Sequence, residues 1–212
     1  MTNPTDPHQG QPVLHYGAPI ESARRVGIFI HGRGASAEDI LGIAPELGTD
    51  DVAYLAPQAA GHTWYPYSFL SPIPQNEPGL TSALNVIAGL VAKAASEGHS
   101  SEHVIILGFS QGACLGLEFA ARHAKRYAAV VALSGGVIGP PGIPRDYSGS
   151  LADTPVFLGC SDVDPHIPLE RVHESAEVFR RLGARVDERI YKRMAHTINA
   201  DELAAVRELV RR

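Results

Sequence analysis

Chemistry in this chain starts from five residues, Gly108-Phe109-Ser110-Gln111-Gly112. The apolar run Val104-Ile105-Ile106-Leu107 precedes them, and a helical pattern opens at Ala113. Strand, then G-x-S-x-G, then helix is the setting in which the pentapeptide carries meaning, because it lifts a serine onto a very sharp turn. A backbone bent that tightly needs small residues two before and two after the serine. Gly108 and Gly112 meet that requirement. The following helix aims its N-terminus at the hydroxyl, and the Gln111 N–H is left free to face a developing oxyanion. A tight structural turn with no chemistry would read the same, so the accompanying residues decide.

A serine hydroxyl is a poor nucleophile until a base takes its proton. Imidazole is the usual base, and a carboxylate holds its tautomer and stabilises its charge. In this setting the order along the chain is serine, acid, histidine. Here that order gives Ser110, the acidic loop Asp162-Val163-Asp164-Pro165, and His196, each just past a strand pattern. Of the ten histidines, His8, His99, His103, His123 and His173 read as surface or helix-end residues. His31 follows a strand and is expected to pack beneath a loop rather than act as the base. Asp162, Asp164 and His166 form a D-x-D-x-H spacing that matches no metal-site pattern, so neither a metal nor a cofactor is expected. Cys114 lies one helical turn past Ser110 and is a poor nucleophile candidate.

The elements that must position these groups alternate between strand and helix. Apolar runs over 26–30, 52–56, 104–107, 128–133 and 156–160 read as buried strands. Residues 185–191 alternate like a half-exposed strand near the sheet edge. Helical patterns cover 37–47 (with Ser36 as N-cap), 80–97, the stretch after the serine turn to about 125, 169–182 and 199–210. The alternation predicts an α/β fold with a mostly parallel central sheet, helices on both faces and no large cap domain. The ligand crevice of such a sheet lies at the carboxyl ends of its strands. Only two irregular segments, 58–78 and 139–153, are available to cover it.

At 212 residues the chain is long enough to bury a sizeable core in one domain, expected over 13–212. Residues 1–12 are polar and proline-rich, which predicts a loose tail rather than a secretory signal. A net charge of −5 argues against a general nucleic-acid binder and offers no basic face to an acidic membrane. No apolar run reads as long enough to span a bilayer. Cys114 and Cys160 form no C-x-x-C and read as buried free thiols in a reducing compartment, so the cytoplasm is expected. A homodimer is left open.

Four segments together are far more specific than the serine turn alone: Phe29-Ile30-His31-Gly32-Arg33-Gly34, Gly108-Phe109-Ser110-Gln111-Gly112-Ala113, Asp164-Pro165-His166-Ile167-Pro168 and Tyr191-x-x-Met194-x-His196. They resemble the phospholipase/carboxylesterase family of α/β hydrolases, which includes acyl-protein thioesterases and small bacterial carboxylesterases. The likeness runs from about residue 26 to the C-terminus. It implies the α/β-hydrolase fold, with Ser110 as nucleophile and His196 as base. The family's acid is followed by x-x-V-P, with Ile167 in the apolar position here, which selects Asp164 over Asp162. Asp162 is then a solvated loop acid or a turn-former. The resemblance also implies a second oxyanion donor at the Arg33 N–H. That role leaves the Arg33 side chain unconstrained, either a solvated charge or a partner for an acidic substrate group. Two departures bear on the pocket rim: Arg193 stands where the family often has Gly, and Cys160-Ser161 where it favours His-Gly.

Trp64, Tyr65, Tyr67 and Phe69 either plug the end of the sheet or line an apolar acyl or aryl pocket. Trp64, Tyr65 and Phe69, with His166 beside the acid, are the expected substrate contacts. The expected function is hydrolysis of small or medium acyl or aryl carboxylic esters, with the small-molecule ester as partner. An acyl-protein or acyl-CoA thioesterase would use the same machinery. A silent scaffold that only binds a small ligand would have no physical need to keep serine, acid and histidine in order.

Overall fold

Strands that are apolar at every position must be covered on both faces, and those of this chain are. The computed structural model of the chain describes residues 5–48 and 50–212. Its strands are β1 (Val13–Gly17), β2 (Arg25–Ile30), β3 (Val52–Pro57), β4 (Val104–Phe109), β5 (Ala129–Leu133), β6 (Pro155–Ser161) and β7 (Arg185–Tyr191). They form one sheet in the order β1-β3-β2-β4-β5-β6-β7. All neighbours pair in parallel except β1, which runs antiparallel to β3.

The helices are α1 (Ala37–Leu41), α2 (Ala44–Leu47), α3 (Gly79–Ser96), α4 (Gln111–Arg122), α5 (Leu169–Arg181) and α6 (Ala200–Arg211). Side chains alternate faces along each strand. Ile28, Ile30, Ile106, Val130 and Leu158 join the core shared with α3, α4 and α5. Phe29, Tyr54, Ile105, Leu107 and Phe157 join the core shared with α1, α2 and α6. Each fully buried side chain of this kind contributes about 1.5–3 kcal/mol of transfer free energy. The expected α/β-hydrolase architecture is therefore present, with a mostly parallel sheet and helices on both faces.

Some elements differ from the sequence expectation. The helix over 37–47 is two short ones, because Pro45 lacks the N–H that a continuous helix would need and instead sits in the first turn of α2. The Ser36 cap is present as a capping box with Asp39. Strand β1 was not legible: it is an edge strand with four of its five residues exposed, so it carries no apolar run. Helix α3, with mean hydropathy 1.3 over 18 residues, is long and apolar enough to cross a bilayer, contrary to expectation. Its apolar face, including Leu80, Ala83, Ile87 and Val91, is instead buried in the core.

Within the segment expected to form a loose tail, 1–12, His8 packs against the core. His8 is buried, and its main-chain N–H donates to Ser82 Oγ at 2.9 Å. Its ring Nδ1 accepts from the Ala60 N–H at 3.0 Å, so Nε2 carries the proton donated to the Trp64 carbonyl at 2.9 Å. Residues 1–4 lie outside the described residues. His99, expected at the surface or a helix end, lies at the end of α3 and is buried with Nε2 on the Ile20 carbonyl, whereas His103, His123 and His173 are exposed.

Candidate active site

Strands β2 and β4 lie side by side, with Ile30 opposite Gly108. The chain leaves β2 toward α1 on one face and leaves β4 toward α4 on the other. Such a switch of direction opens a crevice at the carboxyl ends of the two strands. The Gly32-Arg33 loop and the serine turn flank that crevice.

Ser110 sits at φ 54° and ψ −117°, a region that a non-glycine residue occupies only when its surroundings force it. The forcing contacts are visible at the two glycines. A Cβ on Gly108 would lie 2.2 Å from the Gly112 carbonyl oxygen, and one on Gly112 would lie 2.2 Å from the Ile30 carbonyl oxygen. The turn is thus pressed against β2, and only hydrogen at both positions lets it close. The Ser110 N–H donates to the Leu133 carbonyl at 2.9 Å, which fixes the turn to β5 as well.

Ser110, Asp164 and His196 come together from three loops. His196 Nε2 is 2.8 Å from Ser110 Oγ, and Nδ1 is 2.7 Å from Asp164 Oδ2. A carboxylate only accepts, so Nδ1 carries the proton and Nε2 is free to accept from the hydroxyl. The second carboxylate oxygen, Oδ1, accepts the N–H groups of His166 at 2.8 Å and Ile167 at 3.0 Å. Burial alone would push this carboxyl up, but the hydrogen bonds from His196 and the two N–H groups outweigh it and hold Asp164 below its ordinary value. The His196 ring lies against Phe109, with centroids 4.9 Å apart, and edge-on to His166 at 4.8 Å. The His196 ring nitrogens are taken by Asp164 and Ser110, not by Asp162. Asp162 Oδ1 accepts the Arg193 N–H at 2.7 Å, pinning the loop that carries the histidine. Arg193 has φ 52°, a conformation that glycine adopts at no steric cost, which accounts for the glycine expected there. Among the described residues no group of three or more His, Cys, Asp or Glu converges as metal ligands would.

Among the described residues, the main-chain N–H groups of Arg33 and Gln111 donate to no protein acceptor. Both side chains are hydrogen-bonded to the main chain of residues 64–67. Arg33 is exposed, and its guanidinium is also held by main-chain carbonyls: Nη2 donates to those of Tyr65 at 2.8 Å and Tyr67 at 2.7 Å, and Nη1 to that of Pro66 at 3.0 Å. The buried Gln111 carboxamide accepts from the Trp64 N–H at 2.9 Å and donates to the Tyr65 carbonyl at 2.9 Å. Beneath them His31 is buried as expected. Its Nε2 accepts from the Ala59 N–H at 3.1 Å, so Nδ1–H donates to the Gly32 carbonyl at 2.8 Å. Burial lowers its pKa, which favours the neutral ring that these two hydrogen bonds require.

A cleft of about 460 Å³ opens over Ser110 and His196. Tyr65, Phe69 and His166 line it. Trp64 does not. It is fully buried between the rings of His8 and His31, with centroids 5.3 and 5.0 Å away, and its Nε1–H donates to the His31 carbonyl at 2.9 Å. Its size and its one donor suit it to plug the loop rather than meet a ligand. Tyr67, one of the aromatics read as a sheet plug or a pocket wall, also lines the cleft, as do Cys114 and Ile167, which the sequence did not mark for that role. A signal existed for Tyr67 in its aromatic neighbours, but none for Cys114. Segment 139–153 contributes nothing to the lining. It is tied down by Tyr147 OH on the buried Glu118 and by Arg145 on Glu174. Both thiols are buried, which pushes Cys114 and Cys160 up to about 12 each.

A family model described as Phospholipase/Carboxylesterase matches residues 16–212. The chain is 29% identical over 222 residues to acyl-protein thioesterase 1 of Saccharomyces cerevisiae, covering 94% of this chain and 97% of that protein. It is 37% identical to a crystallised phospholipase/carboxylesterase from Dyadobacter fermentans, with a TM-score of 0.92 over 96% of this chain and 97% of the other. The Bacillus cereus carboxylesterase, 17% identical with a TM-score of 0.74 over 96% of this chain and 94% of that one, shares the fold.

Proposed function

We propose that this chain, which belongs to the phospholipase/carboxylesterase family, hydrolyses carboxylic esters through an acyl-enzyme on Ser110. The observation that carries the reading is His196 bridging Ser110 Oγ and Asp164 Oδ2 at 2.8 and 2.7 Å. Ser110 Oγ attacks the ester carbonyl while His196 Nε2 takes its proton. The tetrahedral oxyanion is held by the main-chain N–H groups of Arg33 and Gln111, neither of which has a protein acceptor to give up. The imidazolium, steadied by Asp164, then protonates the leaving alkoxide. Water repeats the sequence on the acyl-enzyme and regenerates Ser110. The mouth of the cleft carries no cap domain, and its walls at Tyr65, Phe69 and Ile167 suit a small or medium acyl or aryl group.

A thioester passes through the same intermediates. The likeness to the yeast acyl-protein thioesterase over nearly the full length of both chains favours testing that substrate class beside simple esters. The deciding experiment compares turnover of nitrophenyl esters of graded chain length with that of acyl-CoA and S-acyl peptides, using Ser110→Ala as control. A fluorophosphonate should label wild type and not Ser110→Ala. Absence of labelling in wild type, or equal labelling of both, would overturn the hydrolase reading.

A further inference from the structure

The two oxyanion donors sit on loops that leave neighbouring strands and diverge to opposite faces of the sheet. Strand pairing fixes their separation only as far as Ile30 and Gly108. Beyond that point the loops meet through a third segment, residues 63–67. The Tyr65 carbonyl accepts from Arg33 Nη2 at 2.8 Å and from Gln111 Nε2 at 2.9 Å, and it shares the single Thr63 hydroxyl proton with Gln111 Oε1, each at 3.3 Å. On the Arg33 side the segment is held further through the Pro66 and Tyr67 carbonyls and through Trp64 Nε1 on the His31 carbonyl. On the Gln111 side it is held through the Trp64 N–H and, more weakly at 3.3 Å, the Thr63 hydroxyl, both on Oε1.

From this geometry, and resting on the hydrolase reading above, we infer that the Arg33 guanidinium and the Gln111 carboxamide are positioning groups. Each residue offers its main-chain N–H to the oxyanion and uses its side chain to grip one shared carbonyl, that of Tyr65. The distance between the two donors is thereby set by segment 63–67. The same segment presents Tyr65 and Tyr67 to the cleft, so the wall that receives the acyl group and the cradle that receives the oxyanion move as one body. A planar guanidinium reaches three successive carbonyls at once, which an ammonium, as a compact point charge, does not reproduce.

The test uses full-length Arg33→Met, Arg33→Lys and Gln111→Glu, all of which keep both main-chain donors. Gln111→Glu can still accept from the Trp64 N–H but cannot donate to Tyr65. The expected result is a fall in kcat of about 10- to 100-fold, with KM changed by less than about threefold, because a small misplacement of donors costs rate rather than ground-state binding. In Arg33→Lys, which keeps the charge, the pH profile of kcat/KM should keep its wild-type shape, since Ser110, Asp164 and His196 are untouched. Trp64 is the only tryptophan of the chain and lies in the gripped segment, so its near-UV circular dichroism should change in each variant. The loss in Arg33→Met/Gln111→Glu should be well short of the product of the single losses, as two grips on one segment are not independent. Arg33→Lys should recover little, while millimolar guanidinium should restore part of the rate to Arg33→Ala. If Arg33→Met does not fold, Arg33→Lys and Gln111→Glu carry the test. A folded variant with kcat within twofold of wild type, a loss confined to KM, or multiplicative single effects would overturn the inference. Failure of wild type to react with a fluorophosphonate would instead sink the hydrolase reading. A wild type and an Arg33→Met that react equally fast would sink only the positioning role.

Discussion

Replacing Asp164 with Asn tests the catalytic reading most directly, because the surroundings dictate how the amide must sit. Two main-chain donors, the N–H groups of His166 and Ile167, converge on Oδ1. That site accepts an amide oxygen and rejects an NH2 group. The Asn oxygen therefore takes the Oδ1 position, and the NH2 group takes the place of Oδ2, facing His196 Nδ1. A donor there forces Nδ1 to accept, which moves the ring proton to Nε2. At Nε2 the proton points at Ser110 Oγ, 2.8 Å away, and the imidazole can no longer receive the serine proton. The wrong tautomer is expected to lower kcat by roughly 10⁴-fold, about 5.4 kcal/mol of barrier. The shape of the site is unchanged, so KM and the thermal midpoint should move little. Single-turnover acylation by a nitrophenyl ester, followed by release of nitrophenolate, measures the step. A folded Asp164→Asn protein that keeps more than about a hundredth of the wild-type rate would refute the tautomer argument. So would Asp162→Asn showing the larger loss, since Asp162 only pins the Arg193 loop.

Gly112→Ala places a Cβ 2.2 Å from the Ile30 carbonyl oxygen, so the turn or the end of β2 must shift. A loss of about 1–3 kcal/mol in thermal or denaturant unfolding is expected, together with a larger loss of activity. Glu202 is fully buried, Oε1 has no partner among the described residues, and burial pushes its carboxyl up to about 7. The folded state then binds this proton more tightly than the unfolded chain, so the contribution of Glu202 to stability is full below about 4.5 and is lost as pH rises toward about 7. Unfolding of Glu202→Gln should lack that decline, and parallel pH dependences in the two proteins would contradict the assignment. Cys114 and Cys160, both buried and pushed up to about 12, should resist a disulfide reagent at pH 8 in the native protein and react on unfolding. Rapid labelling of folded protein would show that one of them is reachable.

The parts of the fold that were legible in the sequence are those where a residue's own type settles its place. The apolar runs of β2, β3, β4, β5 and β6 have no alternative but the middle of a covered sheet, and Gly108 and Gly112 have a steric role that no other residue can fill. Asp164 could be separated from Asp162 only through the family resemblance, because both acids lie in one loop and either side chain could turn toward His196. Edge strand β1 escaped notice because exposed strands lack the pattern that marks buried ones. His8 was misplaced for a related reason: a polar ring in a proline-rich segment gives no hint that Trp64 lies across from it. The grip of Arg33 on three main-chain carbonyls was also invisible, since carbonyls are common to every residue and leave no trace in the sequence.

The buried His8 changes how the beginning of the polypeptide should be handled. A shortened protein starting at Val13 would lose the imidazole that covers one side of Trp64 and joins its carbonyl to the Ala60 amide. The indole would then face water on that side while still attached to the loop proposed to hold the oxyanion, so trimming upstream residues is expected to lower activity without deleting any group of the proposed mechanism. For the same reason, an affinity handle fused ahead of Asp6 needs a spacer long enough to leave that imidazole seated.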